Sequence, residues 1–488
     1  MIIKTRFPPS PTGYLHIGSL RTALYNYLFA KKYGGIFLLR IEDTDRERYV
    51  EGAVESLIQT LDRVGLICDE GPVLVNGVLS EKGDYGPYTQ SNRLDTYQKY
   101  AHQLLEQGSA YRCFCSKERL EKLRSDQQLA KLPTKYDRAC LRLDSTEVQH
   151  RLNNNEPFVI RLLIPEGETT FKDEIRGMIT IQNSEIDDQI LLKTDGFPTY
   201  HLAVVVDDHL MGVTHIIRGE EWISSVPKHV LLYHVLNFPL PSFAHLPLIL
   251  NPDKSKLSKR QGDVAVEDYL KKGYLPEALI NFVALLGFNP SGDREIYTVK
   301  ELIESFDLTR VNKSGAVFDI TKLNWMNKQY IRSLEPKRLM DLAEPFFNEE
   351  LDFSFEQKER ILAVEKERLT TLQDLSQQTS VYSAIPLFEK NLLVWKKADE
   401  QDALHHLKNI EQILQDADEK FFMDQLLIEE ILKKYIEINH YQNGNVLWPL
   451  RVALSGQAQS AGPFELVWVL GKSESIKRIQ QAIQKIIS

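Results

Sequence analysis

The chain has 488 residues, 43% of them hydrophobic and 26% charged, with a formal net charge of −9. That length predicts two to four domains. No apolar run nears the ~20 residues of a membrane span, and four cysteines are too few for a disulfide framework. The start, Met1-Ile2-Ile3-Lys4-Thr5-Arg6, does not read as a signal peptide, so a cytoplasmic, membrane-free protein is expected. The acidic balance weighs against nonspecific nucleic-acid binding and leaves open a shaped basic face.

A short β-branched run enters the stretch Arg6-Phe7-Pro8-Pro9-Ser10-Pro11-Thr12-Gly13-Tyr14-Leu15-His16-Ile17-Gly18-Ser19, and a helical pattern over about 17–32 leaves it. Prolines fix the backbone direction, and glycines allow a ligand to approach closely. A strand, a tight loop and a helix N-terminus together form an anion-binding geometry; a histidine that merely caps the helix is the alternative. Lys31-Lys32 and Gly34-Gly35 stop the helix. The run Ile36–Ile41 then reads as a buried parallel strand, so the chain opens with a βαβ unit. Glu42-Asp43-Thr44-Asp45 follows it, on the rim where such sheets bind ligands.

From about 76 to 188 the pattern is broken by turns. It includes a helix over about 91–107, the group Cys113, Cys115, Tyr136 and Cys140, and strands at Phe158–Ile164 and Met178–Ile181. Leu191–Leu192, Ala203–Val206 and Val213–Ile217 read as a return to buried strands, followed by a helix over about 220–236. Asn251–Asp263 is a loop dense in Lys, Ser and Gly. After about 320, helical periodicity dominates, with Leu427, Ile428, Ile431, Leu432 and Tyr435 on one face and Ile476, Ile479, Ile483 and Ile487 on another. His102, His215, His229 and His245 read as structural or surface residues, and His201 and His209 lie behind a site at most. Trp325, Trp395, Trp448 and Trp468 read as filling the helical core.

In the lysine loop, Lys256 and Lys259 bracket Leu257-Ser258. Two ammonium groups with a hydroxyl suit a triphosphate whose charge shifts during reaction; a solvated loop is the alternative. The two segments together resemble the ATP-binding signatures of class I aminoacyl-tRNA synthetases. The stretches Arg6–Gly13, Arg40–Asp45, Pro198-Thr199-Tyr200-His201-Leu202-Ala203, Asp207-Asp208-His209, Ile217-Arg218-Gly219-Glu220-Glu221, Pro449–Gly456 and Gly462–Glu465 narrow this to a likeness with bacterial-type glutamyl-tRNA synthetases over essentially the whole chain.

The resemblance implies a Rossmann-like α/β catalytic domain with an α+β insertion and an all-α C-terminal anticodon-binding region. The expected division is 1–75 and 189–250 for the catalytic domain and 76–188 for the insertion that grips the acceptor stem. A stem-contact segment at 251–322 and the helical region at 323–488 follow. It implies ATP held by Pro9, Ser10, Thr12, Gly13, His16, Gly18, Glu221 and Lys259, with His16, Lys256 and Lys259 catalytic. Glutamate would meet Arg6, Ser10, Glu42, Tyr200 and Arg218. The partners implied are L-glutamate, ATP with Mg2+, and tRNA(Glu), on a monomeric enzyme. Arg451 is a further candidate for the anticodon loop.

Two positions depart from the family pattern: Ser19 replaces a second histidine, and Pro8 stands where alanine is common. Cys113, Cys115, Tyr136 and Cys140 resemble a structural zinc site of some members, although Arg142 occupies the place where others carry histidine, which leaves Tyr136 or water as the fourth ligand; buried free cysteines are the alternative. The nearest rival, a glutaminyl-tRNA synthetase, builds its anticodon region from β-barrels, against the helical pattern here.

Overall fold

The computed structural model describes residues 2–45, 48–257, 265–290, 292–348, 350–384 and 387–488. They fall into two compact units, Met1–Lys271 with Pro276–Leu323, and Lys272–Leu275 with Asn324–Ser488.

The first unit begins with β1 (Lys4–Phe7), α1 (Ile17–Lys32) and β2 (Ile36–Leu39). β1 and β2 pair in parallel, with Lys4 opposite Ile36 and Phe7 opposite Leu39, as the βαβ reading requires. Gly35 is needed where the chain enters β2, because a Cβ there would strike the Ile3 carbonyl. Helix α2 (Ala53–Arg63) and the hairpin β3 (Gly71–Val75) and β4 (Val78–Lys82) follow. Next come α3 (Leu94–Glu106), β5 (Ala110–Cys113), α4 (Lys117–Leu129), α5 (Ser145–Asn153) and β6 (Val159–Leu162). The hairpin of β7 (Glu168–Asp173) and β8 (Gly177–Gln182) precedes β9 (Ile190–Leu192). The unit continues with α6 (Tyr200–Leu210), β10 (His215–Gly219), α7 (Val226–Val235) and β11 (Ser242–Leu246).

Strands β10 and β11 are parallel, and β7 and β8 extend their sheet in the order β10-β11-β7-β8. Thr214 N–H donates to the Lys4 carbonyl at 2.9 Å, which sets the start of β10 beside β1. The ends of β1, β2 and β10 therefore lie on one rim.

One expected strand is overturned. Ala203–Val206 is not a strand but the middle of α6. All four residues are buried among Leu104, Ile160, Leu191 and Leu232. A helix enclosed on every side has no polar face, so its three valines carry a strand's composition without a helix's period.

In the second unit, the described residues of 324–488 form helices and no strand. Its longer helices include Glu400–Asp416, Gln425–Ile438, Asn443–Ser455 and Pro463–Ile487. The expected apolar faces bury Ile428, Leu432, Ile479 and Ile483, while Ile487 is exposed. Arg478, fully buried, donates to the carbonyls of Val381, Leu454 and Tyr382 and so satisfies groups that helix ends leave open. Trp325 is exposed rather than core-filling. No helix among the described residues is long and apolar enough to cross a membrane.

Candidate active site

The rim of the first unit holds a cleft of about 1050 Å3. It is lined by Arg6, Pro9, Ser10, His16 and Gly18 from the opening stretch, Glu42, Thr44 and Asp45 after β2, Tyr200 on α6, Arg218 on β10, Glu221, and Lys256. Thr12 and Gly13 do not line it, and Lys259 lies outside the described residues. The rest of the expected set, spread over 250 positions, converges here.

His16 is the N-cap of α1. Its Nδ1 accepts the Gly18 N–H at 2.9 Å, so the neutral ring carries its proton on Nε2. The capping role and the lining of the cleft thus belong to one residue. Glu42 N–H donates to the Pro9 carbonyl at 3.0 Å, tying the two charged loops together. A Cβ on Gly219, which ends β10, would displace the Glu221 carboxylate from its place beside the strand end.

Beneath the cleft lies a buried ionic network. Arg6 Nε contacts both oxygens of Asp208, at 3.2 and 3.3 Å. Arg40 donates to Asp208 at 2.8 Å and to Glu42 at 2.9 Å. Asp207, one residue back on α6, accepts from Arg93 at 2.7 Å, Tyr97 at 2.7 Å and Gln90 at 2.9 Å. Two guanidiniums hold the Asp208 carboxyl below its ordinary range against the opposing effect of burial. For Glu42 burial wins, and its carboxyl is raised despite Arg40. The Arg6 Nη1 and Nη2 atoms are buried and have no hydrogen-bond partner among the described residues. Leaving a guanidinium fork unpaired in the interior is costly, so this one is arranged for an anion.

Arg218 is treated differently. Its Nη1 donates to the Tyr200 hydroxyl at 2.9 Å, its Nε to His245 Nε2 at 3.1 Å, and its Nη2 faces His229 Nδ1 at 3.4 Å. His201 Nδ1 lies 3.0 Å from His229 Nε2. Burial lowers all three imidazoles, His201 to about 3. Sequence reasoning gave His229 and His245 no place near the site, and nothing in their local context marks them.

A second cluster lies apart from the cleft. The sulfurs of Cys113, Cys115 and Cys140 all fall within 4.8 Å of one another, a group that could hold a metal ion. The Tyr136 hydroxyl is 3.3 Å from Cys115 Sγ. Hydrogen bonding from Cys140, helped by Tyr136 and Arg161, draws the Cys113 thiol down to about 4. Arg142 donates to the Asp137 carbonyl at 3.0 Å.

A family profile described as tRNA synthetases class I (E and Q), catalytic domain, matches residues 2–325, and one described as anticodon binding domain matches residues 338–483. The second span falls in the helical unit, against the β-barrel alternative. Similar curated proteins include the glutamate–tRNA ligases of Alkaliphilus metalliredigens, 44% identical over 99% of both chains, and of Clostridioides difficile, 44% identical over the whole of both. The chain belongs to the glutamate–tRNA ligase family. Among solved structures, a glutamate tRNA ligase from Elizabethkingia meningosepticum in complex with its amino acid superposes with a TM-score of 0.89. It is 35% identical and covers 99% of each chain. The Elizabethkingia anophelis glutamate-tRNA synthetase gives a TM-score of 0.88 at 35% identity, covering 99% of this chain and all of that one.

Proposed function

We infer that this class I synthetase activates L-glutamate with MgATP and transfers the glutamyl group to the 3′ end of tRNA(Glu). The glutamate α-carboxylate attacks the α-phosphorus of ATP in line, the bond to the β,γ-phosphates breaks, and pyrophosphate leaves. A ribose hydroxyl of the tRNA terminus then attacks the acyl carbon of the adenylate, and AMP departs. No covalent bond to the protein is needed, and catalysis is positioning plus electrostatics.

The observation that carries the amino-acid assignment is the bare, buried fork of Arg6 in the same cleft as an Arg218 whose partners are all neutral. Such a pocket has positive charge to spare for a carboxylate, and glutamine's amide would meet a guanidinium it cannot match, at a cost of about 1–3 kcal/mol. Glu42 receives the substrate's α-ammonium, and Ser10 and Tyr200 line the same pocket. Pro9, His16, Gly18 and Glu221 flank the nucleotide, with Thr12 and Gly13 shaping the loop. Lys256 and Lys259 stabilise charge building on the β- and γ-phosphates.

The region 76–188 grips the acceptor stem, 251–322 contacts the stem below it, and 323–488 binds the anticodon arm; the protein acts as a cytoplasmic monomer. Three converging thiols and one phenol fit a tetrahedral zinc ion. Cys113, Cys115, Cys140 and Tyr136 would hold it, and it would stiffen the stem-gripping region with no part in the chemistry. In the test of the lysine loop, Lys259→Ala abolishes ATP–pyrophosphate exchange while tRNA binding persists. Unchanged exchange overturns the assignment of that loop.

A further inference from the structure

Arg218 reaches the cleft from β10, and its guanidinium needs a fixed orientation to recognise one carboxylate. The sheet supplies it. β11 runs parallel to β10 with His245 directly opposite Arg218, and Phe243 on β11 is opposite Asp173 on β7. Three adjacent strands thus align Asp173, His245 and Arg218 in a row. Asp173 is 1% exposed, His245 0% and Arg218 4%.

Hydrogen-bond valence fixes every proton in this row. Arginine has only donors, so its Nε–H, 3.1 Å from His245 Nε2, requires a lone pair on that nitrogen. The imidazole proton then sits on Nδ1 and is donated to Asp173 Oδ2 at 2.6 Å. Asp173 Oδ1 is occupied on its other side by the backbone N–H groups of Ile175 at 3.0 Å and Arg176 at 2.9 Å. The same valence runs on the far side of Arg218: if His229 Nδ1 accepts, His229 Nε2–H donates to His201. Arg218 is therefore gripped through neutral acceptors. A carboxylate in direct contact would orient it equally well but would compete with the substrate's carboxylate for its charge.

We propose that Asp173 and His245 are positioning residues for amino-acid selection: Asp173 fixes the tautomer of His245, and His245 fixes Arg218 so that its positive charge stays available to the side-chain carboxylate of glutamate. The role rests on the assignment of Arg218 to that carboxylate. It makes glutamate recognition depend on a strand, β7, that contributes no residue lining the cleft.

Asp173→Asn tests the tautomer directly. The amide oxygen must remain with the Ile175 and Arg176 N–H groups, which turns its NH2 toward His245 Nδ1. That nitrogen must then accept, the proton moves to Nε2, and N–H faces N–H at Arg218. His245→Leu removes the acceptor, whereas His245→Gln restores a neutral oxygen acceptor at similar reach. The assay is ATP–pyrophosphate exchange with glutamate and with glutamine. Asp173→Asn and His245→Leu are expected to raise the KM for glutamate about 10- to 100-fold, the size of a lost hydrogen bond to a charged group. The KM for ATP stays unchanged, kcat changes far less, and the preference for glutamate over glutamine falls in step. His245→Gln recovers most of the glutamate KM. Arg218→Gln is the companion arm: an unchanged glutamate KM there overturns the assignment of Arg218 itself. A raised KM in Arg218→Gln beside wild-type values in His245→Leu overturns the positioning role alone, as does an equal loss in His245→Leu and His245→Gln. If Asp173→Asn does not fold, the two His245 variants decide.

Discussion

Asp208 is the residue on which the buried network turns, and Asp208→Asn shows what that network contributes. Its carboxylate meets Arg6 Nε at 3.2 Å and Arg40 at 2.8 Å, with all three side chains at most 1% exposed. The amide keeps the volume but removes the charge and presents an NH2 group to at least one guanidinium. Breaking a buried pair on one side leaves an uncompensated ion and costs about 3–5 kcal/mol. Glu42 compensates only in part, because it contacts Arg40 and not Arg6. For a unit of this size, that loss lowers the urea midpoint of exchange activity by about 1 M or more. In the variant that remains folded without denaturant, Arg6 loses the anchor on its Nε, so the KM for glutamate rises while the KM for ATP holds. A urea midpoint within experimental error of wild type, with an unchanged glutamate KM, would refute the reasoning that Asp208 offsets and orients Arg6.

Glu42 is raised by burial above the ordinary 4.5, and only its ionised form can pair with an ammonium. The KM for glutamate therefore climbs as pH falls toward that raised value, and Glu42→Gln flattens the profile at a uniformly high KM; a wild-type profile still flat when the pH has fallen to 4.5 contradicts it. His201 titrates near 6.5 when unfolded and about 3 when folded, so below 6.5 the unfolded chain binds more protons and stability falls with pH. At pH 5.5 this amounts to about 1.4 kcal/mol, and a His201→Asn variant whose stability falls just as steeply between pH 7.5 and 5.5 removes that explanation. Protein purified without chelators should carry about one zinc per chain, lost in Cys140→Ser; metal-free wild type returns the cysteines to an ordinary buried cluster.

The sequence made the outline of the fold legible wherever one residue type carries one physical meaning. Lys31-Lys32 before Gly34-Gly35 and the run at Ile36 predicted α1 and β2 within two residues, whereas β1 begins just after Ile2-Ile3 and takes in Arg6 and Phe7 from the expected loop. The Ala203–Val206 stretch failed because a fully enclosed helix and a buried strand have the same composition. The cleft was legible through its lining residues, since each lies in a motif with its own chemistry. What lies behind them was not. Asp173, Arg218 and His245 become neighbours only through strand register, and His245 sits in an apolar stretch with no local sign of function. Likewise, Asp207 and Asp208 look equivalent in sequence, yet one accepts hydrogen bonds from Arg93, Tyr97 and Gln90 and the other from Arg6 and Arg40.

A pocket that reads a carboxylate side chain passes glutamate, and not glutamine, to tRNA. Purified tRNA(Glu) transcript incubated with the protein, MgATP and either amino acid tests it most directly. Robust acylation is expected with glutamate and none above background with glutamine, with glutamylation lost in Arg218→Gln. Equal charging with both amino acids, or glutamylation undiminished in that variant, would contradict it.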